Sequence, residues 1–146
     1  MTIDGVPLDP TVEFRIIVVE DVLFDLRAAS PQVVLREAEG AQRRIAIPVG
    51  LSEGQSLHLA MRGEPSKRPS SAELTVLLLQ ELRADLVAVR IARYDAGVFF
   101  AELDLMTPQG QRVFDCRPSD AIAIALRSST AAPLLIDAKI LDDLVA

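Results

Sequence analysis

The chain has 146 residues, half of them apolar and a quarter charged, which is the size and composition of one globular domain whose core needs no covalent staple. A single cysteine, Cys116, excludes an intramolecular disulfide and a Cys-based zinc cage, and a single histidine, His58, excludes a His-cluster metal site or a His dyad. No Trp, five Phe and one Tyr offer little for stacking bases, and a net charge of −6 repels a phosphate backbone unless a local basic patch, a cation or a partner intervenes.

Residues 1 to 12 hold Pro7, Asp9 and Pro10 without periodicity and read as a flexible tail. A single domain over residues 13–146 is expected to follow. The start carries Asp4, Asp9 and Glu13 rather than a basic run and an apolar segment, so it does not read as a signal peptide. The longest apolar run, Ala121 to Leu126, falls far short of the ~20 residues a membrane span needs. A lone thiol suits a reducing compartment. The expectation is a cytoplasmic protein with no membrane partner.

Glu13 to Val22 is β-branched and bounded by charge, which predicts a strand. Asp25 to Pro31 reads as a turn, Gln32 to Glu37 as a second strand, and Arg43 to Val49 as a third. A helix follows, with Ser52 as its N-cap, Glu53 at its positive end, Leu57, Leu59, Ala60 and Met61 in its body and Arg62-Gly63 at its close. Glu64 to Pro69 is a polar loop. A second helix over about Ser71 to Arg83 carries a Leu74, Leu77, Leu78, Leu82 stripe, the spacing of a core-facing helix, and Ser70 with Glu73 has capping-box spacing. Strands are predicted at Leu86–Ala92, Val98–Leu105 and Gln111–Cys116, with turns at Asp95-Ala96-Gly97 and Pro108-Gln109-Gly110. A helix over Arg117–Arg127, capped by Ser119 or Arg117, comes next. Leu134–Ile136 reads as a short strand, and Asp137 caps a last helix ending near Val145.

Residues 57–62 (LHLAMR) echo residues 122–127 (IAIALR). Each follows a three-strand pattern and a helix start. The fold expected is therefore α+β, a mixed and mostly antiparallel sheet with packed helices, built by internal duplication of a β-β-β-α unit.

The densest polar cluster is Asp115-Cys116-Arg117-Pro118-Ser119-Asp120, where a strand runs into a helix. Amide N–H groups at a helix start favour an anion, and Arg117 offers a fork for phosphate or carboxylate. Asp115 and Asp120 are candidate ligands for a hard cation, Mg²⁺ or Mn²⁺, with no organic cofactor. Cation, carboxylates and arginine together suit phosphodiester hydrolysis. Read blandly, the same residues cap and neutralise a helix, with Arg117 paired to Asp115. Glu53 and Glu73 are candidates to orient water, or simply first-turn acids. His58, mid-helix among apolar residues, reads as structural. Cys116 has Arg117 beside it, which lowers a thiol pKa, yet it reads as a small buried apolar residue.

The run Asp115 to Arg127 closely resembles the signature of the bifunctional nuclease domain family. Pro31 to Glu37, Ile47-Pro48-Val49-Gly50, Glu53, Arg68-Pro69 and Gly97 to Ala101 fall in the family's order, and the resemblance covers about residues 14–142. It implies a compact α+β domain, homo-oligomers, and nuclease activity on RNA and DNA. The chain departs from the family at Ser71-Ala72-Glu73, where members commonly carry Thr-His-Asp, so Ala72 replaces the histidine available as a base. Gln55 stands in the first helix where Asp120 stands in the second.

Two functions follow. One is a metal-assisted nuclease with Asp115, Arg117, Asp120, Glu53 and Glu73 at its site. The other is a catalytically degenerate, oligomeric binding or regulatory module that uses the Arg-Pro-Ser-Asp turn for a small anionic ligand or partner.

Overall fold

The computed structural model describes residues 2–3, 6–7, 11–24, 27 and 30–145. Its elements are β1 (Thr2–Ile3), β2 (Val6–Pro7), β3 (Phe14–Leu23), β4 (Gln32–Glu37), β5 (Arg44–Pro48), α1 (Leu51–Met61), α2 (Ser71–Glu81), β6 (Asp85–Asp95), β7 (Val98–Thr107), β8 (Gly110–Cys116), α3 (Pro118–Arg127), β9 (Leu134–Asp137) and α4 (Ala138–Leu144). The fold is α+β, as expected. Within residues 1–12, read from the sequence as a flexible tail, β1 and β2 pair as a two-residue antiparallel ladder. Residues 1, 4–5 and 8–10, like most of the Asp25–Pro31 turn, lie outside the described residues.

The main sheet has seven strands in the order β5-β4-β3-β9-β6-β7-β8. Every pairing is antiparallel except β6 with β9. Two three-strand runs therefore flank β9, and each leads into a helix, α1 after β5 and α3 after β8. The element order matches the repeat read from the sequence, but the helix starts do not keep its register. The residues before the helices are Gly50 and Arg117, two positions out of step with the echo.

Alternation decides which face is core. On β4, Val33, Leu35 and Glu37 are buried while Gln32, Val34 and Arg36 are partly exposed. Leu57 of α1, Ile122 of α3 and Leu141 of α4 are fully buried with Ile91 and Ile136 of the sheet. α3 is the deepest helix, with Pro118, Ser119, Ala121, Ile122, Ala123 and Ile124 all buried. Its alanines keep it slim, and α1 and α2 both pack on it. Gly54 makes room on α1, because a Cβ there would sit 3.0 Å from the Pro31 ring. The β6–β7 turn is tight, with Ala96 and Gly97 both at positive φ (49° and 84°), the geometry that a two-residue hairpin connection demands.

Two local expectations are overturned. Ser52 does not cap α1: the helix starts two residues earlier, Gly50 is the N-cap, and no side chain caps it. The α2 leucine stripe is not core. Leu74, Leu77, Leu78 and Leu82 are 51, 53, 52 and 67% exposed, and Val76, with Ala72 and Leu79 partly buried, faces inward instead. Both faces of α2 are apolar, so spacing alone could not choose between them. The capping box of Ser70 and Glu73 and the Asp137 cap of α4 form as predicted.

Buried charge ties the far end of the chain to the sheet. Glu37 is 1% exposed. It accepts from Arg15 Nε at 3.1 Å on β3, and from Arg43 Nε at 2.7 Å and the Arg43 amide at 3.0 Å before β5. Arg43 also donates to Asp142 of α4 at 2.7 Å. The Arg43 hydrogen bond holds the Glu37 carboxyl below its ordinary pKa, against the opposing effect of burial. A lowered carboxylate pKa adds stability above the unfolded pKa and loses it as pH falls through the folded one. Glu37→Gln is expected to cost about 3 kcal/mol at pH 7. The gap to wild type should shrink below pH ~4.5. Urea unfolding of both proteins at pH 7 and pH 3.5 measures this, and an equal gap at both pH values would refute it.

Candidate functional site: a cleft at three helix starts

β5 and β8 lie at opposite ends of the sheet, and the helices that follow them run back over one face and meet. A cleft of about 470 Å³ opens there. Its walls are the first turns of α1 (Ser52, Glu53), α2 (Ser71, Ala72, with Ser70 before it) and α3 (Ser119, Asp120, with Arg117 before it). Three positive helix ends thus point toward one space.

The three starts differ. α2 is closed, because Ser70 Oγ accepts from the Glu73 amide at 3.2 Å and Glu73 Oε1 accepts from the Ser70 amide at 3.3 Å. α1 and α3 have no side-chain cap. Their first intrahelical bonds from the cap carbonyls are Gly54 N–H to Gly50 and Ala121 N–H to Arg117. The amides of residues 51–53, and of 119–120 beyond Pro118, therefore have no acceptor within their helices.

Arg117, Asp120 and Glu53 come together. Arg117 donates from Nε to Asp120 Oδ2 at 2.8 Å and from Nη2 to Asp120 Oδ1 at 3.0 Å, and its Nη1 lies 3.5 Å from Glu53 Oε1. The Asp120 hydrogen bond, then its charge, raise the Arg117 pKa. Glu73 stands just behind the cleft. Its hydrogen bonds from Ser66 first, then Ser70, lower its pKa. Its Oε1 is 3.9 Å from Arg127 Nη2, and the buried Nε and Nη2 of the partly exposed Arg127 make no hydrogen bond.

Asp115 is not part of the cluster. It pairs across β8 with Glu102 of β7, next to the Leu103–Phe114 pair. Leu103 belongs to the core under α3, and side chains alternate, so Asp115 and Glu102 occupy the opposite face of the sheet. Arg117 pairs with Asp120 rather than Asp115. The Asp115–Asp120 cation clamp does not assemble, since the two acids diverge and both Asp120 oxygens are taken by Arg117. Among the described residues no three His, Cys, Asp or Glu side chains converge to hold a metal.

Ala72, where the resemblance places a histidine, lines the cleft. His58 is elsewhere, exposed on α1 with its ring edge-on to Phe24 at 6.0 Å. The sequence reading took Ser52 and Ser70 only as caps and passed over Ser56, so it did not anticipate that Ser52, Ser56, Ser70, Ser71 and Ser119 line one cleft. It also passed over a buried group on the other sheet face, where Arg90 Nη1 meets Asp104 at 2.9 Å and Gln111 Nε2 donates to the same carboxylate at 2.8 Å. Charged residues inside the apolar strands β6 and β7 were the available signal for that group.

An α+β domain with an open cleft at the Arg-Pro-Ser-Asp turn is what fold and site define. The profile of the bifunctional nuclease domain matches residues 33–145, and the chain belongs to that family. It is 35% identical over 111 residues to the uncharacterized proteins MT1877 and Rv1829 of Mycobacterium tuberculosis strains CDC 1551 / Oshkosh and ATCC 25618 / H37Rv. Those matches span 76% of this chain and 64% of each relative.

Cys116, half-buried at the end of β8, has its thiol pushed up to about 11, by burial first and then by Asp120, Asp115 and Glu102. Burial and the three carboxylates raise it, contrary to the lowering expected from Arg117. Above-normal thiol pKa means roughly a hundredfold less thiolate at neutral pH. Alkylation by iodoacetamide at pH 7.5 is expected to be much slower in the folded protein than in urea. Equal rates would refute the shift.

Proposed function

We propose that this domain binds phosphate groups of nucleic acid in the cleft and hydrolyses phosphodiester bonds of RNA or DNA there. The observation that supports this best is the meeting of two uncapped helix starts with Arg117 in one space. Amides and guanidinium would hold the non-bridging oxygens and stabilise the charge that builds on them. Glu53 has a carboxylate only loosely engaged by Arg117 and is the base in this reading. It takes a proton from water as the water oxygen bonds to phosphorus and the P–O ester bond breaks, with the leaving oxygen protonated by solvent. Asp120 positions Arg117. Glu73 and Asp115 have no direct part. Mg²⁺ or Mn²⁺ has no assembled ligand set, so the reading assigns it no step.

A second reading is favoured by Ala72 and by the Arg117–Asp120 latch. In it the cleft binds a small anion or partner without catalysis.

Single-stranded RNA and DNA incubated with the protein in Mg²⁺, Mn²⁺ or EDTA separate the two. Asp120→Asn is expected to lower hydrolysis at least tenfold while shifting Tm by only a few degrees, since an exposed pair and a first-turn acid are each worth about 1 kcal/mol or less. No hydrolysis by wild type above Asp120→Asn in any condition would reject the nuclease reading. Activity abolished by EDTA would require a cation after all.

We also propose that the chain is a homo-oligomer through the exposed leucines of α2. Four neighbouring leucines on one helix face form an apolar strip of the kind that marks protein interfaces. Leu77→Glu with Leu78→Glu should reduce the mass measured by light scattering to that of one chain. A wild type already monomeric at high concentration would refute it. No helix among the described residues is long and apolar enough to cross a membrane. A cytoplasmic location remains part of this proposal.

A further inference from the structure

We infer that a groove joined to the cleft seats an unpaired nucleotide base on Tyr94, with flanking phosphates at Arg44 and Arg117, so that the domain selects single-stranded over double-stranded nucleic acid. This rests on the nucleic-acid reading of the cleft and adds to it a subsite and a residue that sets specificity.

Two further cavities continue the cleft. One, of about 260 Å³, shares Arg117 and Ser119 with it, and the next, of about 370 Å³, shares Pro48, Gly97 and Phe99 with the first. Together they run from the start of α1 back along β5 to Arg44, with the tip of the β6–β7 hairpin as the facing wall. At about 3.3 Å per residue, Arg44 to Gly50 spans roughly 20 Å of extended chain, room for several nucleotides beyond the cleft. The chain has one tyrosine, and it stands here. Tyr94 lines the groove, is 38% exposed, and has its ring 4.6 Å from that of Phe99 in a tilted stack. A ring supported from behind and open to solvent is a platform on which a base stacks whatever its identity.

Charge and the free strand edge select the occupant. The chain carries a net charge of −6, yet among the described residues lining the two grooves the charged ones are Arg44 and Arg117, one toward each end. Both are held the same way. Each donates from Nε and Nη2 to one carboxylate, Arg44 to Glu20 at 2.7 and 2.9 Å and Arg117 to Asp120. The Arg44 side chain is 59% exposed, and exposed pairs of this kind are weak, so a phosphate takes over the guanidinium at little cost. β5 ends the sheet. Glu37 donates to the Arg43 carbonyl and Val49 to the Pro31 carbonyl, so odd-numbered residues bond to β4, and the amides of Arg44 and Ala46 face the free edge with the carbonyls of Arg44, Ala46 and Pro48. That edge offers both donors and acceptors to the edges of unpaired bases. A peptide strand, or β5 of a second copy, needs a regular ladder, which Pro48 interrupts for want of an N–H. A duplex keeps its bases stacked on one another and has no free face for Tyr94.

The test is binding in EDTA at low salt, read by fluorescence anisotropy, of a short labelled single-stranded DNA, the same strand annealed to its complement, and the same strand with abasic sites throughout. The intact single strand is expected to bind about tenfold more tightly than either of the others. Tyr94→Ala, with its folding checked by circular dichroism, should remove most of that difference, and Tyr94→Phe should keep it. Arg44→Gln should weaken binding and flatten its salt dependence. Equal binding of single strand and duplex, an abasic strand as tight as the intact one, or a Tyr94→Ala variant that is folded and unaltered overturns the inference. So does a wild type that binds no single strand, or displacement of the bound strand by polyglutamate as readily as by unlabelled DNA, which reassigns the groove to an acidic peptide. Cleavage in Mg²⁺ or Mn²⁺ is scored separately. Cleavage of single strand and duplex alike, unchanged by Tyr94→Ala, would overturn this inference and leave the nuclease reading standing. Binding that depends on Tyr94, with no cleavage of any probe, would do the reverse.

Discussion

Four residues join the two halves of this domain. The inner edge of one three-strand run is β3, and that of the other is β6, and neither pairs with the other. Leu134–Asp137 lies between them, antiparallel to β3 and parallel to β6. Leu134 and Ile136 are buried beneath the helices, so the strand supplies both ladder hydrogen bonds and core. The helix layer depends on that join. α1 leaves the outer strand of one half and α3 the outer strand of the other, and they can meet only if the sheet is continuous between them.

The cleft is a product of that meeting. Each helix start alone is ordinary, with a first-turn acid against its positive end: Glu53, Glu73 and Asp120. Brought together, the starts differ by what satisfies their amides. Ser70 and Glu73 spend each other on α2, while α1 begins at a glycine and α3 at an arginine followed by proline, none of which offers a side-chain oxygen as cap. Arg117 then becomes the pivot of the local charge. It holds Asp120 by two bonds, which quiets the acid that would otherwise repel an anion.

Much of the fold was legible because β-branched runs, turn glycines and caps all point the same way along the chain. β4 begins and ends where the β-branched pattern predicts, and the Asp137 cap forms. The α2 stripe failed because periodicity identifies an apolar face without saying whether anything covers it, and α2 has a second one built on Val76 and Leu79. Ser52 failed because it stands two positions too late, and the extended Gly50 backbone set the start. At the site, the polar run holding Arg117 and Asp120 was readable, but their pairing was not, since Arg117 was assigned to Asp115 although cap and N3 positions face each other. Asp115 was not, because strand alternation assigns it to a face and only the packed helices say which face holds the cleft. The contribution of α2, separated from α3 by three strands in sequence, is a tertiary fact that no local pattern encodes.

The joining strand also sets the order in which the domain can assemble. Its partner on β3, Phe14–Ile17, is roughly 120 residues away along the chain, and pairing across such a distance bears a large loop-closure entropy. Each half can form its own local hairpins early, but until residues 134–137 are in place β3 and β6 present open inner edges to one another and to other chains. A nascent chain stalled before that point would hold two unfinished half-sheets, with unpaired strands of the sort that seed aggregation. The last short strand thus acts as a closing step, after which both vulnerable edges disappear at once.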